Sequence, residues 1–95
     1  MDGTLYRLAA PPGSLSWREW DDGCVVFNHA TGETHYLDTF TSYLLRLIEA
    51  EPRSGRALAA VVCAELGLDR SEVLEAQIGR ALRNFETLAL LDPVR

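Results

Sequence analysis

Thr34-His35-Tyr36-Leu37-Asp38-Thr39-Phe40-Thr41-Ser42-Tyr43-Leu44-Leu45-Arg46-Leu47-Ile48 changes its period at Asp38. Before that residue, Thr34 to Leu37 reads as a short strand. After it, Phe40, Tyr43, Leu44, Leu47 and Ile48 recur at the offsets of one helical face. Asp38 and Thr39 both have the short oxygen-bearing side chain that caps a helix N-terminus. The chain therefore passes from strand to helix within one or two residues, and its neighbours on either side set the architecture.

Toward the N-terminus, His29-Ala30-Thr31-Gly32-Glu33 is a loop, and Cys24 to Asn28, rich in β-branched and aromatic residues, is a strand. Asp21-Asp22-Gly23 is a tight turn, because Asp and Gly tolerate the dihedrals of short hairpins. Leu15 to Trp20 is the strand before it. Trp17 and Trp20 are three apart, so a regular strand sends them to opposite faces, one into the core and one outward, whereas a bulge would turn both inward. Residues 1–14 contain Pro11-Pro12-Gly13 and read as an extended N-terminal arm or edge segment, since adjacent prolines cannot serve in a central strand.

Toward the C-terminus, Ser54 can cap a second helix with the stripe Leu58, Val61, Val62 and Leu66, closed by Gly67. Asp69 and Glu72 are spaced as a capping box for a third, striped by Leu74, Ile78, Ala81, Leu82, Phe85 and Leu88. Pro93 is expected to end regular structure. The fold class that follows is α+β: a three-stranded antiparallel sheet followed by three helices, with residues 15–95 as one domain.

The chain has 95 residues, 47% of them hydrophobic, enough for one core and too few for a second. Function must then reside on the surface or in a shallow groove. A net charge of −5 disfavours duplex DNA and anionic membranes as partners. No apolar run approaches the roughly 20 residues of a membrane helix, and Met1-Asp2-Gly3 is not the start of a signal peptide, so a cytoplasmic protein is expected. Cys24 and Cys63 lie in separate elements without C-x-x-C spacing and read as reduced thiols.

Trp17 to Trp20, Cys24-Val25-Val26-Phe27-Asn28, the stretch from Ala30 to Asp38 and the helix from Phe40 to Glu49 together resemble the PqqD family of peptide chaperones. The likeness is strongest to the PqqD-like proteins of the HPr-rel-A system, through Thr31-Gly32-Glu33-Thr34-His35-Tyr36-Leu37-Asp38. It continues to Leu88-Ala89-Leu90-Leu91, where Ala89 replaces the family's usual Gly and a Cβ disfavours a left-handed cap. The resemblance implies a winged-helix-like fold of the type called a RiPP recognition element. Such a module performs no chemistry, needs no cofactor, and presents the leader of a ribosomally made precursor peptide to a modifying enzyme. It implies as partners a leader peptide and either a radical SAM protein, as for PqqD itself, or an HPr-kinase-related protein. The leader would add as a strand to the sheet edge, in the cleft between the third strand and the third helix. Carried onto this sequence, the contact set is Thr34, His35, Tyr36 and Leu37 on the strand and Val73, Gln77 and Ile78 on the helix.

The residues alone support this reading in part. Thr34 to Leu37 contains no Lys or Pro to block edge pairing, although any small sheet has edges. Val73, Gln77 and Asn84 border one side of the third helix's stripe and Glu75, Gly79 and Glu86 the other, and either border could line a cleft or be simply solvated. Cys24, His29 and His35 lack a fourth ligand and tight zinc spacing, and with Asp38 they form a triad only on paper, since no nucleophile elbow is present. The rival classes are a winged-helix DNA-binding protein, whose recognition helix would here set Arg70, Arg80 and Arg83 against Glu72, Glu75 and Glu86, and a homodimer joined through the free edge.

Overall fold

The computed structural model describes residues 3–94. Six strands and three helices follow one another as β1 Leu5–Leu8, β2 Leu15–Trp20, β3 Gly23–Asn28, β4 Glu33–Asp38, α1 Thr39–Ala50, β5 Arg53–Ser54, α2 Gly55–Leu66, α3 Glu72–Thr87 and β6 Leu91–Val94. The fold is α+β, with two three-stranded antiparallel sheets ordered β2-β3-β4 and β5-β1-β6. The first is the expected meander. The second was not anticipated from the sequence.

In the meander, Asp21 and Asp22 alone separate Trp20 from its partner Gly23. Gly is required at position 23 by close packing: a Cβ there would lie 2.5 Å from the backbone oxygen of Leu37 on β4. The second hairpin is held by Asn28, whose backbone oxygen accepts from Gly32 N at 2.7 Å and whose buried side chain accepts from Ala30 N at 3.0 Å. The two tryptophans part as the strand period requires. Trp17 is half-buried, and its indole N–H donates to the Glu49 carboxylate on α1 at 3.1 Å. The guanidinium of Arg46 lies 4.6 Å from the Trp17 ring centroid and pairs with Glu19 at 3.0 Å, which fastens the sheet to α1. Trp20 is exposed.

The second sheet joins the start of the chain to its end. Within the segment read as an extended arm, β1 lies in the middle of the sheet and not at an edge, between β5 and β6. Met1, Asp2 and Arg95 fall outside the described residues. Pro93, expected to end structure, sits inside β6. Ala9 N donates to Leu90 O at 3.0 Å, and the register continues through Leu8↔Leu91, Arg7↔Asp92 and Tyr6↔Pro93. Hydrogen-bonded pairs alternate, so Pro93 occupies a position whose nitrogen faces away from β1, where no donor is needed.

The core is built from Val26 and Leu37 of the meander, Leu44, Leu45 and Ile48 of α1, Leu58, Ala59 and Val62 of α2, and Leu74, Ile78, Ala81, Leu82 and Phe85 of α3, closed by Leu90 and Leu91. Leu45 joins this core although the sequence stripe omitted it, and Leu66, placed in the stripe of α2, is half exposed. The caps explain where helices begin. Asp38 Oδ1 accepts from Thr41 N at 2.7 Å and Ser54 Oγ from Ala57 N at 3.0 Å, and Gly67 closes α2 with φ 65°. For α3 the cap is Ser71, which accepts from Leu74 N at 3.1 Å, and not the expected Asp69. Ser71 immediately precedes the first helical turn, within reach of its free N–H groups.

Ala89 adopts the left-handed conformation that its Cβ disfavours, with φ 59°, as the chain leaves α3 for β6. Leu90 N donates to Phe85 O at 2.9 Å and Ala89 N to Glu86 O at 3.0 Å across this turn. Burial of Leu90 and Leu91 holds the residue there. Ala89→Gly should therefore raise stability by about 0.5–1 kcal/mol, the relief of left-handed strain less the entropy of a freer unfolded chain. Urea unfolding should show a higher midpoint at unchanged slope. Gly23→Ala should lower stability by roughly 1–3 kcal/mol because the Leu37 carbonyl cannot yield without moving β4.

Candidate functional site: the open edge of the meander

The two-residue turn fixes the phase of the whole ladder. Trp20 and Gly23 flank it and must exchange their N–H and C=O groups, and His29 N donates to Ser14 O at 2.8 Å at the far end of the same pair of strands. Gly23, Val25 and Phe27 thus bond β2, which leaves Cys24, Val26 and Asn28 to bond β4. Their partners are Leu37, His35 and Glu33. By alternation the backbone groups of Thr34 and Tyr36 point away from β3, to an edge that no strand among the described residues covers.

Side chains alternate across the same strand. Thr34 and Tyr36 are exposed, Tyr36 at 79%, whereas His35 and Leu37 are buried against the helices. His35 Nε2 has no hydrogen-bond partner among the described residues. The outer face of the sheet carries Phe27, whose ring meets His29 edge-on at 4.6 Å, and His29 Nε2 lies 2.6 Å from Ser16 Oγ. His29 and His35 consequently face opposite sides of the sheet, and the set of Cys24, His29 and His35 does not converge. Among the described residues no group of three His, Cys, Asp or Glu side chains is placed to hold a metal ion.

Beyond the C-terminal end of β4 a groove of about 530 Å³ separates the start of α1 from α3, lined by Asp38, Phe40 and Thr41 on one wall and Gln77, Arg80, Ala81 and Asn84 on the other. This selects between the two borders of α3: the side carrying Gln77 and Asn84 faces the groove. Of the expected helix contacts, Gln77 lies in the wall, Val73 is 69% exposed one turn before it, and Ile78 is fully buried in the core. Sequence reasoning did not single out Asp38, Phe40, Thr41, Arg80 or Ala81 as groove residues. The helical period placed Arg80 and Ala81 near Gln77 and Asn84, but only the packing of α3 reveals which border meets α1.

A larger hollow, about 710 Å³, lies under the Ala9-to-Gly13 loop against the C-terminal end of α1, away from the strand edge. Near it in sequence, the half-buried Tyr43 phenol is pushed above its ordinary value by burial and by Glu65, so it stays protonated at neutral pH. No described helix is long and apolar enough to cross a membrane.

Fold and edge together define an α+β domain in which the edge strand β4 leads into a helix-walled groove at Asp38. The same fold is seen in TbiB1, solved in complex with the TbiA(beta) leader peptide: the two superpose with a TM-score of 0.68 at 22% identity, over 94% of this chain and 98% of that one. No protein-family model and no curated protein sequence matches the chain.

The ladder phase has a direct consequence for folding. His35→Pro removes a donor to Val26 and should lower stability by roughly 3 kcal/mol or more, whereas Tyr36→Pro removes only an outward N–H and should leave the circular dichroism spectrum and a cooperative melt intact.

Proposed function

We propose that this chain is a non-catalytic peptide-binding module that takes up the leader segment of a precursor peptide as a fourth strand on β4 and presents it to a modifying enzyme. The observation that carries this reading is the open edge at Thr34 and Tyr36, whose backbone donors and acceptors point outward on a strand that ends at Asp38, the residue where the groove between α1 and α3 begins. Main-chain pairing supplies affinity without demanding a particular sequence, and the groove supplies selectivity. The fold shared with a protein caught holding a leader peptide supports the same use of the same architecture. The PqqD-like features of the sequence extend the proposal to a RiPP recognition element of winged-helix-like fold, acting in natural product biosynthesis beside a radical SAM or HPr-kinase-related enzyme in the cytoplasm.

In this mechanism the edge contacts are Thr34 and Tyr36 through their backbones. His35 and Leu37 act from beneath by holding β4 on the core, Gln77 and Val73 border the incoming chain, and Ile78 supports the helix from inside.

Tyr36→Pro is the decisive variant. It should remain folded and lose peptide binding by tenfold or more in a fluorescence-anisotropy titration with the leader encoded beside the gene, while Tyr36→Ala retains most of the affinity because it keeps the N–H. Equal binding by parent and Tyr36→Pro would refute strand addition.

The competing DNA-binding reading predicts tight, sequence-selective binding at physiological salt. Only weak, sequence-independent binding that disappears at moderate salt is expected from a chain of net charge −5. Sedimentation at several concentrations tests the third use of the edge, pairing with a second copy, which Tyr36→Pro would also abolish.

A further inference from the structure

Strand addition fixes backbone pairing and leaves side-chain selection to the walls of the groove. The helical period of about 3.6 residues divides the polar residues of α3 between two borders. Its carboxylates, Glu72, Glu75 and Glu86, all fall on the border turned away from β4, together with Gly79. The opposite border carries Val73, Gln77, Arg80 and Asn84, and from it Gln77, Arg80 and Asn84 line the groove. Arg80 is the charged residue of that wall.

Arg80 also differs from the chain's paired arginines. Arg46 is engaged by Glu19, Arg53 by Glu51 and Arg70 by Glu75. Arg80 makes no hydrogen bond or ion pair among the described residues. The acid on the facing wall, Asp38, is committed through Oδ1 to the cap of α1. A guanidinium in no ion pair, flanked by two primary amides and segregated from every carboxylate of its own helix, gives the α3 wall a positive charge that faces the Asp38 carboxylate across the groove. Guanidinium and amide N–H groups are donors suited to a carboxylate, which accepts several hydrogen bonds at once.

We propose that the groove selects peptides carrying an Asp or Glu side chain at one helix-facing position of the added strand, with Arg80 receiving the carboxylate and Gln77 and Asn84 flanking it as neutral donors. This rests on strand addition to β4. A strand laid there sends alternate side chains toward α3 and toward the outer face, so the acid belongs to the alternate set that lies over His35 and Leu37. Arg80 is then a specificity residue, distinct from the backbone groups that give affinity.

The test is selection from a displayed library of random dodecapeptides against the parent, Arg80→Glu and Arg83→Glu. Arg83 lies on the far side of α3 beside Gly79, and serves as the control for net charge. The parent and Arg83→Glu should enrich Asp or Glu at one fixed position, and Arg80→Glu should enrich Lys or Arg there. For one enriched peptide, Glu→Gln at that position should weaken binding to the parent by roughly three- to tenfold, with the difference shrinking as salt rises. The Glu→Lys peptide should regain affinity for Arg80→Glu. Enriched peptides without an acidic position, or the same acidic position in parent and Arg80→Glu, would overturn the role of Arg80 while leaving strand addition standing. Failure of the parent to enrich any peptide would remove both.

Discussion

The hydrogen-bonded pair Trp20–Gly23 is the constraint from which the site follows. Two residues of turn leave these partners no choice but to bond each other, and every later residue of β3 inherits its direction by alternation. One residue more in the turn would reverse the phase, turning the backbone of His35 and Leu37 to the edge. The side-chain alternation of β4 would then conflict with the pairing, because Leu37 must remain in the core. Gly23 is thus constrained twice, by the turn that it closes and by the approach of the Leu37 carbonyl.

A second joint holds that meander at a fixed angle to the helices. Trp17, Arg46, Glu19 and Glu49 form a connected group across the boundary between β2 and α1, half apolar stack and half charge. Because α1 begins at the residue after the end of β4, fixing α1 against β2 also fixes β4 relative to α3. The groove width is set by that bracing and by the core beneath, so the site needs no loop to form it.

The meander, the three helices and most of their stripes were legible because each is long enough for its period to show. The capping serine of α2 and the left-handed Gly67 were legible for the same reason. The second sheet was not. β5 has two residues and β1 and β6 four each, too short to display alternation, and their pairing depends on contacts between distant parts of the chain. Pro93 signalled an ending only because its orientation within β6 is invisible without the partner strand. Ala89 shows the other limit: tertiary burial of Leu90 and Leu91 outweighs the local preference of one Cβ. At the site, the edge strand was readable from its composition, but its outward register required the turn geometry, and the groove-facing border of α3 required the packing. Ile78, named as a contact through the resemblance, belongs to the core stripe where the helical period had already placed it.

The pairing of β1 with β6 gives the fold an uneven contact order. The meander consists of neighbours in sequence, and its hairpins can close while the remainder of the chain is still being synthesised. The second sheet unites Leu5 with Val94 and cannot exist until the last strand has emerged. The open edge of β4 is thus assembled early from local contacts, whereas the seal over Leu90 and Leu91 comes last. A nascent chain would display an open strand before its core is shut, a window in which a chaperone or a second chain competes for the same backbone groups.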